Sequence, residues 1–319
     1  GRPNALRESE TRQGDRAAHV PLLVIVFTQR ENRERRAWQR STWLGVRRWA
    51  SVGPGAPQPW RYVYVQARRG DSDEAKLDRI VGDVVTLRQT TESYANLVYK
   101  TLESLRWGLA RVDFGAVLKT DDDTMVHVGR ALGWLAHRGS PPELYAGRVF
   151  RDSQVIRANF SRRDLLHPEW YPDDFAKWAV PFDALPDAQL NHRYFFPPYC
   201  SGAGYLLGPR AASGIVAAYD ARRAMSQPVV QVEDAFLGLL ARSRGLRPVD
   251  ITILMQDPPA RQPQTAALFR AQMLVHRVVQ PQQAFEWITA EAPDAWAGGG
   301  ASRGRQPRRL RAGASRRRR

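Results

Sequence analysis

The stretch FGAVLKTDDDTMVHV, residues 114–128, places three consecutive carboxylates directly after an apolar run. Three adjacent like charges repel one another, so water, a cation or an arginine cluster must offset the cost of holding them together. The apolar residues predict a buried strand with the aspartates on a turn at its carboxyl end. Because side chains of an extended turn alternate, Asp121 and Asp123 would share one side and Asp122 would face the other. A solvated acidic turn is possible, but this arrangement also suits a hard divalent cation, Mg²⁺ or Mn²⁺.

Predicted strands and helices alternate on both sides of this stretch. The strand signals are apolar or β-branched runs, and the helix signals are apolar residues at helical spacing. The predicted strands cover residues 21–28, 60–66, 82–87, 143–150, 201–209 and 248–254, and the predicted helices cover residues 30–49, 92–110, 209–224 and 232–245. This alternation predicts an α/β protein with a mostly parallel sheet. Residues 151–198 have too little periodicity to assign, and residues 1–19 are polar and predict a flexible leader.

Charge and cysteine content limit the classes of protein that the chain could represent. The formal net charge of +16 suggests a nucleic-acid or membrane-surface binder. Nine arginines and no acid lie in residues 301–319, however, so we attribute much of the charge to a disordered tail over residues 296–319. The single cysteine, Cys200, excludes an intrachain disulfide and favours a reducing compartment. The longest apolar run, VPLLVIVF, is too short to span a bilayer.

Other charged residues could join the aspartates in a site. Asp234 lies where a helix is predicted to begin, and it is either a general base or a charge that stabilises the helix terminus. His276 follows an apolar run and is either structural or a metal ligand. Arg36 and Arg40 lie one helical turn apart and could bind phosphate or be solvated. A metal site, a base and arginines together suit transfer of a group from a diphosphate-linked donor.

Five segments that contain these residues resemble motifs of the β-1,3-glycosyltransferase family, which comprises the β-1,3-galactosyltransferases, the β-1,3-N-acetylglucosaminyltransferases and the Fringe enzymes. They follow the order of the family motifs and together cover about residues 21–290. The segments are RRAWQRSTW, ESYANLVYKTLESLRW, LKTDDD, PPYCSGAGYLLG and EDAFLG. Asn159 in NFS also fits a glycosylation sequon.

The resemblance implies a GT-A fold over residues 20–295, with a donor-binding half at about 20–125 and an acceptor-binding half at about 126–295. It implies an inverting enzyme that uses Mn²⁺, or Mg²⁺ in its place, and UDP-galactose, with UDP-GlcNAc or UDP-GalNAc as alternative donors. The acceptor would be a glycan on a glycoprotein, proteoglycan or glycolipid. The implied roles are general base for Asp234, metal ligands for Asp123 and His276, and donor binding for Asp121, Asp122, Arg36, Arg40 and Lys100.

The resemblance also implies a type II protein on the luminal side of the Golgi membrane, with an anchor outside this sequence and no nucleic-acid partner. The chain departs from the family pattern in having Ala235 in place of the usual valine and one cysteine in place of several. Two alternatives stay open. One is a basic nucleic-acid-binding protein, whose salt-dependent binding would be lost without residues 301–319. The other is an inactive family member that acts as a lectin-like or chaperone partner.

Overall fold

The computed structural model describes residues 17–45, 60–70, 79–185, 194–256 and 264–289. The predicted disordered tail and nearly all of the predicted leader lie outside these ranges, so both stay predictions. Within the described ranges, no helix combines the length and the apolar character that crossing a bilayer requires.

The described residues form eleven strands and seven α-helices. The strands are β1 (Ala17–Phe27), β2 (Trp60–Arg68), β3 (Arg79–Val81), β4 (Val84–Thr91), β5 (Val112–Asp121), β6 (Met125–Val126), β7 (Tyr145–Phe150), β8 (Tyr199–Leu207), β9 (Val249–Asp250), β10 (Met255–Gln256) and β11 (Leu274–Val275). The helices are α1 (Arg33–Ser41), α2 (Leu97–Arg111), α3 (Val128–Arg138), α4 (Pro209–Ala224), α5 (Glu233–Ser243), α6 (Ala266–Ala271) and α7 (Pro281–Thr289).

Eight strands form one mixed sheet in the order β3-β4-β2-β1-β5-β8-β7-β9. The strands from β4 to β5 run parallel, as do β7 and β9, whereas β3–β4, β5–β8 and β8–β7 are antiparallel pairs. A small second sheet has the order β10-β11-β6. The predicted α/β class, with a mixed, mostly parallel sheet flanked by helices, is confirmed. The boundary between donor and acceptor halves stays a prediction, since one sheet spans both.

Two apolar layers cover the two faces of the large sheet. Along β1, Leu23 and Ile25 face the layer that contains α2, α4 and α5, whereas Leu22 and Val24 face the layer that contains α3, α6 and α7. All four side chains are essentially inaccessible to solvent. Burial on both faces explains why β1 is an unbroken apolar run and not an alternating one.

Two sequence predictions of local structure are wrong in extent. The predicted strand over residues 248–254 ends at Asp250, because the Asp250 carboxylate accepts hydrogen bonds from the backbone and hydroxyl of Thr252 and a 3-10 turn follows over Thr252–Leu254. The helix predicted over residues 30–49 runs only from Arg33 to Ser41, and residues 46–49 lie outside the described ranges.

The unassigned segment after β7 is built from 3-10 turns, not from regular helices or strands. These turns cover Arg162–Asp164, Pro168–Trp170 and Phe175–Trp178. They surround a small apolar cluster of Ile156, Leu165 and Phe175. Within residues 151–185 and 194–198, the part of this segment that the structure describes, no element exceeds four residues, so there is no periodicity there for sequence analysis to detect.

Candidate active site

The three aspartates lie on a tight turn where β5 ends, and Asp122 faces away from its two neighbours. The Asp122 carboxylate is buried and accepts hydrogen bonds from Thr28 Oγ1 (2.7 Å), Asn32 Nδ2 (2.8 Å) and Arg35 Nη1 (2.9 Å). These contacts tie the turn to the loop between β1 and α1. The alternation expected from the sequence is therefore present, and the contacts that hold Asp122 come from the protein itself.

Asp121 and Asp123 face a third potential ligand, His276. One ligand atom from each of the three residues lies within 4.8 Å of the other two. His276 Nε2 is 3.2 Å from Asp123 Oδ1 and 3.9 Å from Asp121 Oδ2. The histidine follows β11, which pairs with β6 just after the aspartate turn, and Val278 N donates to Asp123 O at 2.9 Å. The fold thus brings together the residues that the sequence nominated as metal ligands and Asp121.

The chemistry of this cluster suits a divalent cation. Burial raises the pKa of Asp123, but the hydrogen bond with His276 and the charges of His276 and Arg35 outweigh it and hold that pKa below its usual value. Asp123 is therefore ionised at neutral pH. Two carboxylate oxygens and one imidazole nitrogen form a mixed donor set that could hold a divalent cation.

Asp234 lies in the first turn of helix α5, and two backbone N–H groups bind its carboxylate. Gly202 N donates to Asp234 Oδ2 at 2.8 Å, and Ala235 N donates to Asp234 Oδ1 at 2.9 Å. Burial, followed by repulsion from Glu233, raises the pKa of Asp234 to about 6, although the two backbone hydrogen bonds oppose the shift. A carboxylate with this pKa is ionised at pH 7 and more basic than an exposed one, which suits a general base.

Glu233 differs from Asp234 in its surroundings and in what it contacts. The side chain is buried, and its Oε1 accepts hydrogen bonds from Thr101 Oγ1 and Tyr205 OH, both at 2.7 Å. These bonds connect the start of α5 to α2 and to β8. Glu233 therefore positions the helix that carries Asp234.

Lys119 joins the aspartate turn to the residue that holds Asp234, and sequence analysis missed it. Its Nζ donates to Asp121 Oδ1 at 2.9 Å and to the carbonyl of Gly202 at 2.6 Å. Burial lowers the pKa of Lys119, but the carboxylates of Asp121 and Glu233 outweigh it and raise that pKa, so the ammonium group stays charged. The available signal was a lysine inside an apolar strand, two residues before Asp121 and therefore on the same side.

Comparison with known proteins identifies the family. A sequence model of the Galactosyltransferase family matches residues 34–252, which is more than half of the chain. The chain belongs to this family. The match includes the aspartate turn, Gly202 and Asp234, whereas His276 lies beyond its end.

Two human relatives illustrate the relationship. Acetylgalactosaminyl-O-glycosyl-glycoprotein beta-1,3-N-acetylglucosaminyltransferase is 27% identical over 86% of this chain and 67% of its own length. Beta-1,3-galactosyltransferase 4 is 32% identical over 71% of this chain and 62% of its own length. The chain thus spans about two thirds of the length of these galactosyltransferase-family relatives. Among solved structures, galactosyltransferase LgtC with donor and acceptor sugar analogs overlaps 86% of this chain and 98% of its own, with 11% identity and a TM-score of only 0.38.

The arginines of the family's opening motif are bound to protein groups. Arg36 donates to Thr28 Oγ1 at 2.9 Å, to Arg30 O at 3.1 Å and to Gln29 O. These contacts shape the loop that follows β1, beside the aspartate turn. Arg36 is thus placed to support that loop, and direct contact with a donor stays a prediction.

Arg40 lies farther along α1 and pairs with a buried acid. Its guanidinium donates twice to Asp83, through Nε to Oδ2 at 2.9 Å and through Nη2 to Oδ1 at 2.7 Å. Tyr62 OH also donates to Asp83 Oδ2 at 3.0 Å. This network fixes α1 to the turn before β4, so the guanidinium of Arg40 serves a structural contact. Its predicted role in donor binding stays a prediction.

Lys100 and Asn159 complete the residues nominated from sequence. Lys100 Nζ is buried, donates to Thr28 O at 2.8 Å and pairs with Glu92 at 2.9 Å. Burial lowers the pKa of Lys100, although Glu92 opposes the shift. Asn159 is exposed in a turn, where a glycan could be attached. Donor binding by Lys100 and glycosylation of Asn159 both stay predictions.

Proposed function

We propose that this protein transfers galactose from UDP-galactose to the 3-hydroxyl of an acceptor glycan, with inversion at the anomeric carbon to give a β-1,3 linkage. One observation carries the proposal. A candidate metal cluster and a candidate base lie at adjacent strands β5 and β8, and Lys119 connects them through hydrogen bonds to Asp121 and Gly202. Transfer from a nucleotide sugar needs both functions within reach of one anomeric carbon.

Asp121, Asp123 and His276 would hold the cation, which we propose to be Mn²⁺, with Mg²⁺ as the weaker alternative. When bound, the cation neutralises negative charge on the diphosphate of the leaving UDP. Arg35 adds a positive charge beside this site, since its Nη1 lies 3.7 Å from Asp123 Oδ2. These side chains thus bind and orient the donor's diphosphate end.

Asp234 would act on the acceptor. Its carboxylate takes the proton from the acceptor 3-hydroxyl while that oxygen forms a bond to the anomeric carbon. The bond from the anomeric carbon to the UDP oxygen breaks on the opposite face, and its electron pair leaves with UDP. The N–H groups of Gly202 and Ala235 each bind one of the two carboxylate oxygens and so fix the orientation of the base.

We propose the donor sugar, the acceptor and the location by analogy with the family. The 27% identical relative is an N-acetylglucosaminyltransferase by name, so UDP-GlcNAc is the leading alternative donor and UDP-GalNAc the next. The acceptor would be a glycan on a glycoprotein, proteoglycan or glycolipid. We place the enzyme on the luminal side of the Golgi membrane as a type II protein.

The test measures UDP release from UDP-galactose, UDP-GlcNAc and UDP-GalNAc, with Mn²⁺ and with a chelator. Wild type is compared with Asp234→Asn and with the control Asp113→Asn, the same change at an exposed carboxylate near the start of β5. We expect turnover of UDP-galactose that needs Mn²⁺, is retained by the control and is lost in Asp234→Asn. Turnover of another donor alone would overturn the choice of galactose, and failure of wild type to release UDP from any donor in Mn²⁺ would overturn the transferase proposal as a whole.

A further inference from the structure

Two aromatic side chains from distant segments meet beside the candidate active site. Trp178 Nε1 donates to Tyr94 OH at 2.6 Å. Tyr94 lies shortly before α2, and Trp178 ends the 3-10 turn Phe175–Trp178. Tyr94 is 48% exposed, and the ring of Tyr171 packs at 6.0 Å from that of Trp178. We refer to Tyr94 and Trp178 as the aromatic pair.

The segment that carries Trp178 is held firmly although it has no regular secondary structure. Val180 N donates to Ile156 O at 2.8 Å. The buried guanidinium of Arg157 donates to Val180 O at 2.9 Å and to Leu185 O at 2.8 Å. Phe175 anchors the same turn in a small apolar cluster. The indole is therefore presented in a fixed position, which lowers the entropic cost of binding a ligand.

Helix α2 brings the segment that carries Tyr94 toward Asp234. Tyr94 lies three residues before α2 begins, and Thr101 of α2 donates through Oγ1 to Glu233 Oε1, next to Asp234, at 2.7 Å. Burial raises the pKa of Tyr94 to about 12, the hydrogen bond from Trp178 opposes this, and the charges of Asp234 and Glu233 add to it. Burial, followed by the charge of Asp234, raises the pKa of Tyr199 in the strand that carries Gly202, and Tyr94 adds a smaller contribution.

We propose that Tyr94 and Trp178 form the acceptor subsite and bind a pyranose ring whose C–H face stacks on them, with its 3-hydroxyl toward Asp234. This inference rests on the proposed function and adds the residues that select the acceptor. Galactose and related sugars expose several C–H groups on one ring face, and rigid aromatic rings bury such a surface at low entropic cost.

The polar groups around the aromatic pair match the hydroxyl groups at the edge of a sugar. The Tyr94 oxygen accepts from Trp178 and still carries a proton of its own to donate. Lys177 Nζ lies 5.3 Å from the centre of the Trp178 ring and pairs with Asp174 at 2.8 Å. A few polar groups around an aromatic surface are typical of small-ligand sites.

Stacking of the donor's uracil is the alternative use of the aromatic pair, and kinetics distinguish the two. Apparent KM values for the acceptor and for the nucleotide sugar are measured with methyl β-galactoside and methyl β-N-acetylglucosaminide as acceptors. The variants are Trp178→Ala, Tyr94→Phe and the control Leu166→Ala, which truncates an exposed apolar side chain of the same segment. We expect Trp178→Ala to raise the acceptor KM by about tenfold or more, with a smaller rise in Tyr94→Phe and none in the control.

Mn²⁺-dependent hydrolysis of the nucleotide sugar by wild type, without acceptor, separates this inference from the proposed function. If wild type neither hydrolyses nor transfers, the proposed function fails. If it turns over but both variants keep the acceptor KM of wild type, or if only the donor KM rises, the acceptor subsite is overturned. Should Trp178→Ala not fold, Tyr94→Phe decides, since it removes one oxygen and keeps the ring.

Discussion

Gly202 holds Asp234 in place, because its N–H donates to Asp234 Oδ2 at 2.8 Å while its carbonyl accepts from Lys119 Nζ at 2.6 Å. A Cβ atom at position 202 would lie 3.3 Å from Asp234 Oδ2 and 3.3 Å from Glu233 Oε2. Such contacts are tighter than most Cβ contacts, so the two carboxylates would have to move by a few tenths of an ångström. Glycine at this position therefore permits the close approach of strand β8 to both carboxylates.

Gly202→Ala is expected to displace the Asp234 carboxylate and to lower kcat/KM. Overpacking of this kind lowers the free energy of unfolding by about 1–3 kcal/mol, which leaves most of the protein folded. The loss of kcat/KM should therefore be larger than the loss of folded protein. The control is Gly133→Ala in α3, where a Cβ would meet nothing within 4 Å. The control should be neutral or stabilise by about 0.5–1 kcal/mol. Wild-type kinetics in Gly202→Ala would contradict the role assigned to this contact.

The pH dependence of activity should report the ionisation of Asp234. Because only the ionised carboxylate accepts a proton and its pKa is raised to about 6, kcat/KM should rise with pH through about 6. The contribution of Asp234 to the free energy of unfolding should change with pH in the opposite direction, falling as pH rises. Because the pKa of Asp234 is higher in the folded protein, folding favours the protonated carboxyl group. The resulting stabilisation is fully present below pH 3.8, the ordinary pKa of an aspartate, and is lost as pH rises through about 6.

The control for the pH prediction is Asp234→Asn. It should remove this pH-dependent contribution to the free energy of unfolding and lower kcat by about 10²–10⁴-fold. Denaturant titrations at several pH values and initial-rate profiles provide the two measurements. An acidic limb far from pH 6, or unchanged activity in Asp234→Asn, would show that another group is the base.

Addition of Mn²⁺ should raise the melting temperature of wild type. A ligand at 100 times its dissociation constant stabilises the folded state by about 2.7 kcal/mol. Asp123→Asn and His276→Ala should lose most of this shift, because the first replaces a charged carboxylate with a neutral amide and the second removes the imidazole nitrogen from the three clustered ligands. Asp152→Asn, at an exposed aspartate, is the matched control. Equal shifts in all variants would place metal binding elsewhere.

Asp122→Ala should lower the free energy of unfolding but have little effect on metal binding. The change leaves the buried Thr28, the partly buried Asn32 and the half-exposed Arg35 without this acceptor. We expect a loss of about 2–4 kcal/mol in the free energy of unfolding, with the Mn²⁺ shift retained in the protein that folds. Loss of the Mn²⁺ shift at unchanged stability would instead make Asp122 a metal ligand.

Local patterns predicted much of the fold and half of the site. The apolar run before the aspartate turn predicted a buried strand, and the alternation of Asp121, Asp122 and Asp123 followed from backbone geometry. The position of His276 could not be derived, because it depends on the pairing of β11 with β6, more than a hundred residues away along the chain. Likeness to a family motif suggested the histidine, and only the fold brings it to Asp123.

The residues whose surroundings could not be predicted from local sequence patterns contact partners that are distant along the chain. Arg36 and Arg40 share a helix face and suggested a phosphate site, but the sequence does not show that Asp83 neutralises Arg40. Lys119 was overlooked because a single lysine within an apolar run is not a recognisable motif. Trp178 had no detectable signal, since the irregular segment around it has no repeat from which its contact with Tyr94 could be inferred.

The measurement that tests the central claim most directly is the NMR structure of the product made from UDP-galactose and a methyl glycoside acceptor. The account predicts a new β-anomeric signal and a bond to the acceptor's O3, formed by wild type in Mn²⁺ and absent with a chelator or in Asp234→Asn. An α-linked product, a linkage to another hydroxyl, or full product formation by Asp234→Asn would contradict an inverting transfer in which Asp234 is the base.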